Sequence, residues 1–379
     1  MKLLVITHEY PPIGGGGANA CKFLTKEFAK AGNDVTVVTA QYNDLPWEET
    51  TDDKVKIYRV KCIRADREKS SFLEMFTYLI GANIKIEMLL KTESYDRCLV
   101  FFGIPSGPLA LKFKKKYDIP YYIRFGGGDI PGTQARFAFI YKLLSPALRI
   151  IWREADGLVA NSYGLQQRAL QFENRYSISI IENGVDNQLF KPIKHVENKC
   201  IRILFVSRLL ERKGLQFIIP NLKEINEQVR EKCGKEIRLS IVGDGPYREK
   251  LENLADEMEV GNLVKFEGRK EKEQLLSIYP ASDLFILPSQ WEGMPNVVLE
   301  AMASGLPIIM TPCEGSKELV TNNGIISTIE DFKDNIIKLC SDEELRQSMG
   351  KNSLENIERN FQWESIGKRY IQLMQRCEE

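Results

Sequence analysis

At 379 residues the chain is too long for one ordinary domain and suits two of roughly 150–200 residues each. Apolar residues make up 43% and charged residues 27%, which excludes a largely disordered chain, a collagen-like repeat and a disulfide-stapled miniprotein. Lys+Arg and Asp+Glu both number 52, so no overall positive field marks a nucleic-acid binder.

The first stretch alternates strand and helix. Lys2–Thr7 (KLLVIT) is a short apolar run, expected as a buried parallel strand; it is too short for a secretory core. A loop with Pro11, Pro12 and Gly14–Gly17 follows. Then comes a helix over Cys21–Ala31 that stops at Gly32, and a strand over Asp34–Thr39. Strand, glycine loop, helix, strand is a βαβ unit, and its right-handed crossover implies a parallel sheet. Further strands are expected at Val55–Val60, Cys98–Phe102, Tyr121–Arg124, Gly157–Ala160 and Ile178–Ile181.

Around Phe190–Lys199 the pattern turns polar, and a linker is placed there. The α/β logic then restarts. Strands are expected at Ile201–Val206, Ile237–Val242, Val264–Phe266, Leu284–Leu287 and Pro307–Met310, with a helix opening over Lys213–Leu222. This divides the chain into residues 1–190, 191–360 and a last amphipathic helix in 361–379. Two such sheets place a cleft between them, and ligands in open α/β sheets sit at the carboxyl ends of the strands.

The eight cysteines are scattered without a CxxC pair, and the histidines are His8 and His195, so no zinc site on the usual spacings is expected. Scattered thiols point to a reducing cytoplasm. No window of about 18 apolar residues is present to span a membrane.

Chemistry concentrates after the strands. In Leu284–Met310 (LFILPSQWEGMPNVVLEAMASGLPIIM), Pro295 fits the first helical position, and the amides around Met294–Val297 form a ready phosphate site. Glu300 is a carboxylate in an apolar helix and needs a partner or a ligand hydroxyl; Glu292 lies eight residues earlier, in the loop. A structural charge and a solvated loop residue are the alternative readings. Arg208 and Lys213 follow a strand and can reach a diphosphate, Arg by a bidentate fork and Lys as a point charge; solvated loop cations are the alternative. Val242–Pro246 (VGDGP) and Pro11–Ala18 (PPIGGGGA) permit close backbone approach, or simply turn. Phe125–Gly132 (FGGGDIPG) holds Asp129, which reads as a substrate contact or as a turn-stabilising aspartate.

Together these loops resemble those of the retaining glycosyltransferases of family 4, with two Rossmann-like α/β/α domains facing across a cleft in the GT-B fold. The resemblance covers nearly the whole chain. Glu292 with Glu300 reproduces the family's EX7E spacing, SRLLERKG its Arg…Lys-Gly loop, VGDGP its next strand-end loop, and THEYPPIGGGGA its N-terminal loop. It implies that Arg208 and Lys213 neutralise the diphosphate of a UDP- or GDP-linked sugar. Gly293, Met294, Pro295, Asn296 and Val297 meet its phosphate and sugar; Glu292 contacts the sugar and Glu300 the ribose. Gly15 and Gly16 approach the phosphate, Gly243 lines the loop of the next strand, and Gly268–Lys272, including Arg269, flanks the base. The last helix crosses back to the first domain. The reaction is glycosyl transfer with retention, and neither metal nor cofactor is implied. One departure stands out: Gly126 occupies the place of a family histidine that contacts the donor sugar. This leaves Asp129 as a candidate catalytic or acceptor contact, with Arg124 as a helper.

Cys98–Arg153 holds nine basic and two acidic residues. Arg136–Arg153 interleaves cations with aromatic and aliphatic residues, so it reads either as a face resting on anionic lipid heads or as a buried helix pair. The expected partners are a nucleotide-sugar donor, a glycan or lipid-linked acceptor and peripheral contact at the inner membrane face, with no nucleic acid. A nucleotide-sugar epimerase and a non-catalytic nucleotide-sugar-binding subunit are the rival readings.

Overall fold

A computed structural model describes residues 1–67, 70–132, 138–193 and 200–375, with only the backbone of Ala138. Arg136, residues 194–199 of the expected linker, and the end of the chain from Arg376 lie outside the described residues. The chain divides into two units, Met1–Asn183 with Trp363–Glu379, and Gly184–Gln362. The division falls ahead of the polar stretch at Phe190. Val185 bridges to Gln362, and the Phe190 ring packs edge-on against Tyr279, which ties both residues into the second unit.

In the first unit the apolar runs form an eight-stranded sheet. Its strands are β1 (Lys2–Ile6), β2 (Asp34–Ala40), β3 (Glu48–Thr50), β4 (Lys56–Val60), β5 (Arg97–Phe101), β6 (Tyr121–Arg124), β7 (Gly157–Ala160) and β8 (Ile178–Ile180). Their order is β3-β4-β2-β1-β5-β6-β7-β8. Every pairing is parallel except that of the short, exposed β3 on β4. One core packs the sheet against α2 (Phe72–Leu89), α3 (Gly103–Tyr117), α4 (Ala138–Arg153) and α5 (Tyr163–Phe172). The other packs it against α1 (Gly16–Lys30) and the last helix, Trp363–Gln375. Trp363, Ile366, Tyr370 and Met374 fall on one face of that last helix and are buried. Trp363 stacks on Phe23 of α1 at 5.3 Å. Each such side chain contributes about 1.5–3 kcal/mol when buried, so the C-terminal helix is held on the first unit by its apolar face.

One expectation changes here. The glycine run is not all loop, because Gly16 and Gly17 already form the first turn of α1, with Gly15 as its cap. Lys114 and Lys116 stand in the last turn of α3, where the helix dipole favours cations, and pair with Asp156 and Glu87 respectively.

The second unit is one six-stranded parallel sheet in the order β11-β10-β9-β12-β13-β14. Its strands are β9 (Cys200–Val206), β10 (Glu236–Val242), β11 (Val264–Gly268), β12 (Leu284–Leu287), β13 (Ile308–Met310) and β14 (Gly324–Ile326). Around a single core lie α6 (Leu222–Cys233), α7 (Arg248–Glu257), α8 (Lys272–Ile278), α9 (Asn296–Ala303), α10 (Ser316–Leu319), α11 (Phe332–Ser341) and α12 (Glu343–Asn360). The helix expected over Lys213–Leu222 is a chain of 3-10 turns, and α6 begins only at Leu222. Left-handed Gly214 and Pro220 break an α-helical start there.

Candidate functional site

The loop after β9 is set by Gly214. It has φ +79°, and a Cβ there would lie 2.0 Å from the Pro288 carbonyl oxygen, so only glycine lets this loop lie against the loop after β12. The close approach brings Lys213 onto Glu292, Nζ to Oε1, with 9% and 11% of the two side chains exposed. Burial pulls the Lys213 ammonium below its usual range, and Glu292 opposes the shift. Arg212 lies beside the pair. Its guanidinium sits 3.9 Å from the Trp291 ring centre and 3.9 Å from the Glu292 carboxylate, and its Nη1 donates to the Trp291 carbonyl at 2.9 Å. Arg208 is exposed, close enough for its charge to act on Arg212.

Between β12 and α9 the chain carries the remaining donor-side candidates. Pro295 is the helix cap and not its first residue, with φ −73° and ψ 109°. The N–H of Glu292 donates to Glu314 at 3.2 Å. Left-handed Gly315 approaches so closely that a Cβ would stand 2.9 Å from the Gly293 oxygen. A Cβ on Gly293 itself would meet nothing within 4 Å, so its own side faces open space. Met294 and Pro295 are buried, while Asn296 and Val297, half-buried, open the first turn of α9. Glu300, in the second turn, accepts a 2.8 Å hydrogen bond from the Tyr279 hydroxyl on Oε2. Burial pushes the Glu300 carboxyl up to about 7; the Tyr279 bond and the Lys272 charge resist. The two carboxylates of the EX7E spacing therefore have separate partners, a lysine for Glu292 and a tyrosine for Glu300.

Gly243 has φ +136°, and a Cβ there would come within 1.8 Å of the Ser207 oxygen. Its N–H donates to the Gly268 oxygen at 2.8 Å, which knits together the ends of β9, β10 and β11. Arg269 follows, half-exposed, 3.9 Å from Glu271. Cations, a carboxylate and first-turn amides thus converge at the carboxyl ends of β9 and β12, an arrangement suited to a polyanion bearing hydroxyls.

The other candidates belong to the first unit. Gly15 is exposed, with nothing within 4 Å of an added Cβ, and Gly16 follows it in α1. Asp129 is 3% exposed, and both its oxygens accept backbone bonds, from Gly103 at 2.7 Å and Gly126 at 2.8 Å. Those bonds are what the turn-stabilising reading expects. Arg124 is 2% exposed, so it is no surface residue; it donates to Asn183 at 2.5 Å and lies over the Phe101 ring. The Gly126 position has no room for a side chain. A Cβ on Gly126 would stand 2.1 Å from the Phe102 ring, which also packs edge-on against His8 with centroids 5.0 Å apart.

Two family models match in tandem, "Glycosyltransferase Family 4" over residues 14–189 and "Glycosyl transferases group 1" over residues 186–356. The chain belongs to glycosyltransferase family 4. It is 27% identical to a glycosyltransferase of Methanocaldococcus jannaschii over 99% of this chain and 98% of that one. It is 26% identical to a GDP-mannose-dependent monoacylated alpha-(1-6)-phosphatidylinositol monomannoside mannosyltransferase of Corynebacterium glutamicum, over 99% and 98%. Its fold is similar to that of sucrose-phosphate synthase from Thermosynechococcus elongatus (20% identity, TM-score 0.83, covering 100% and 99%). Anabaena HepE, solved with UDP and glucose, is similar too (18%, TM-score 0.70, 98% and 98%). The family 4 chain is a glycosyltransferase of the GT-B fold.

Sequence reasoning missed Arg212, Trp291, Tyr279 and Glu314. Signals existed for two of them. Arg212 adjoins Lys213 and Trp291 adjoins Glu292, and a strand-end cation beside an aromatic is a recurrent pairing. Tyr279 and Glu314 reach the site only through the packing of α8 and of the loop after β13.

Proposed function

We propose that the chain is a retaining glycosyltransferase that moves a sugar from a UDP- or GDP-linked donor to a glycan or lipid-linked acceptor. The pathway would be cell-surface polysaccharide or glycolipid biosynthesis. The reading is carried by the buried Lys213 beside Arg212, with Glu292 between them, at the carboxyl end of β9. As the bond from sugar to diphosphate breaks, positive charge grows on the sugar ring and negative charge on the departing diphosphate. Cations already fixed in a partly buried site stabilise that negative charge without reorganising. Residues of the chain, not a metal, would supply this countercharge. Glu292 holds Lys213 before the donor arrives and would accept from the sugar hydroxyls. Glu300 would accept from the ribose.

The test is a panel of UDP- and GDP-sugars scored by thermal shift and by nucleotide release, in the presence and absence of acceptor lipids. A true donor at a hundred times its Kd should stabilise the fold by about 2.7 kcal/mol. Release of free epimerised sugar without acceptor would favour the epimerase, and a Glu292→Ala chain with full biological output would favour the binding subunit. Failure of every nucleotide sugar to stabilise the protein would sink all three.

The lipid-linked acceptor is supported by one layer of the first unit. Leu73, Phe76, Ile80, Ile84 and Met88 form an exposed apolar stripe on α2. On α4, Phe139 and Leu143 are 81% and 74% exposed, beside exposed Lys142, Arg149 and Arg153. Arg149 and Arg153 each have one carboxylate neighbour, Glu173 and Glu154. Lys115, exposed on α3 between these helices, adds a further cation. An anionic bilayer suits that mixture of apolar and basic groups. Co-sedimentation with phosphatidylglycerol vesicles, weakened by salt and lost in Phe76→Ser/Leu143→Ser, is the expected outcome. Equal recovery with and without vesicles at low salt would remove the membrane from the reading.

A further inference from the structure

Beyond the residues assigned above, one buried hydroxyl has a defined role in the same site. We propose that Tyr279 is a positioning residue for the donor: it fixes the Glu300 carboxylate by Oε2, so that Oε1 is presented to the ribose hydroxyls of the nucleotide. The inference rests on the reading that Glu300 contacts the nucleotide.

Tyr279 is fully buried, and its ring is held from two sides. Phe190 meets it edge-on, centroids 5.6 Å apart with the planes at 84°, and Phe285 of β12 lies 6.0 Å away. A ring held in this way has little freedom, and its hydroxyl is spent on one acceptor, 2.8 Å away. Burial raises the Tyr279 phenol well above its ordinary range, so it stays a donor at any working pH. Among the described residues nothing bonds Oε1 of Glu300.

The other charged group acting on Glu300 is Lys272, which opens α8, seven residues before Tyr279. Seven residues are two turns, so both lie on one face of that helix. Lys272 also sits 5.8 Å above the Phe190 ring. The face of α8 thus brings a neutral donor and a cation to a carboxylate that burial otherwise drives toward its protonated form. Protonation would turn Oε1 from a carboxylate acceptor into a hydroxyl donor, or into a weaker carbonyl acceptor if the proton sat on Oε2, so holding Glu300 ionised matters for hydroxyl recognition.

The experiment uses the full chain, with UDP and GDP as probes, titrated by calorimetry from pH 6 to 9. Tyr279→Phe keeps the ring and removes the hydroxyl. It should weaken the better nucleotide about tenfold at pH 6.5 and less than threefold at pH 8.5, where Glu300 is ionised without help. Carboxyl-carbon NMR of Glu300 should show its midpoint moved upward in Tyr279→Phe, and moved downward in the wild type when nucleotide binds. An equal loss at every pH, or no loss while Glu300→Gln still weakens the nucleotide, overturns the positioning role and leaves the donor reading standing. If Glu300→Gln binds nucleotide as the wild type does, and the wild-type midpoint ignores nucleotide, the donor reading fails and this inference with it.

Discussion

In the first unit the loops after β1 and β6 hold glycines; Arg124 and Asp129, after β6, are buried and taken up by Asn183 and by backbone amides, while Glu9, just past β1, pairs with Arg64. In the second unit the ends of β9 and β12 carry Arg212, Lys213 and Glu292, where one carboxylate is the side-chain partner of both cations and the Arg208 charge acts on Arg212. The difference concerns what each charge is for. A carboxylate with both oxygens on backbone N–H groups is committed to the fold. A lysine held by a single partly buried glutamate can exchange that partner for a phosphate. On the proposed reading, the charges of the second unit can regroup around a donor phosphate, while Asp129 of the first unit cannot.

The sharpest way to break this contrast is Lys213→Met, which removes the ammonium and keeps the apolar stem. Turnover should fall about 10²–10³-fold, the effect of losing one preorganised charge contact worth about 2.7–4 kcal/mol. Glu292 retains Arg212 as a neighbour, so the fold should survive. Turnover within threefold of wild type, measured as nucleotide release with acceptor, would mean that Lys213 serves the fold as Asp129 does.

Asp129→Asn probes the other side. An amide has one acceptor oxygen, so either Gly103 or Gly126 loses its bond, a cost of about 1–3 kcal/mol. Thermal unfolding should shift down by several degrees, with kcat per folded molecule nearly unchanged. A collapse of kcat at unchanged Tm would return Asp129 to the chemistry. Gly126→His sharpens the same point, because the Phe102 ring already fills that space. The substitution should destabilise by about 1–3 kcal/mol, and Phe102→Ala in the same chain should recover much of the loss. Full stability in Gly126→His alone would show that the Phe102 ring yields at no cost.

Much of this was legible because parallel strands are buried on both faces and read as unbroken apolar runs: LFIL at β12 and YYIR at β6 match to the residue. The strands that escaped are those without such runs. Glu48–Thr50 is exposed and polar and exists only as an antiparallel edge on β4. Gly324–Ile326 is a three-residue edge strand after a turn. The site divides the same way. Lys213 and Glu292 stand in short loops directly after strands, where the chain itself sets the position. Tyr279 lies 21 residues before Glu300 and meets it only because α8 docks on the core. The two readings of Asp129 could not be separated in the sequence, which shows a carboxylate among glycines but not which amides it will accept from.

A last measurement separates Glu300 from Lys213 by pH alone. Glu300, raised to about 7 from an ordinary 4.5, keeps a proton in the folded state that the unfolded chain has released. Stability from this group is therefore full below about pH 4.5 and is lost as pH rises to about 7, at up to about 1.4 kcal/mol per pH unit within the window. Partial exposure of the residue reduces that slope. Lys213 is lowered from 10.5, so in its window the unfolded chain binds the proton and stability rises with pH, in the alkaline range. Asp129 is also raised, from 3.8, and its slope has the sign of Glu300's but begins at lower pH. Measured without nucleotide in an Asp129→Asn background, Glu300→Gln should flatten the decline in Tm between pH 5 and 7 and leave the alkaline limb unchanged. A decline that persists in the Gln variant would place the proton on another group and would release Glu300 from its partly buried, tyrosine-bound state.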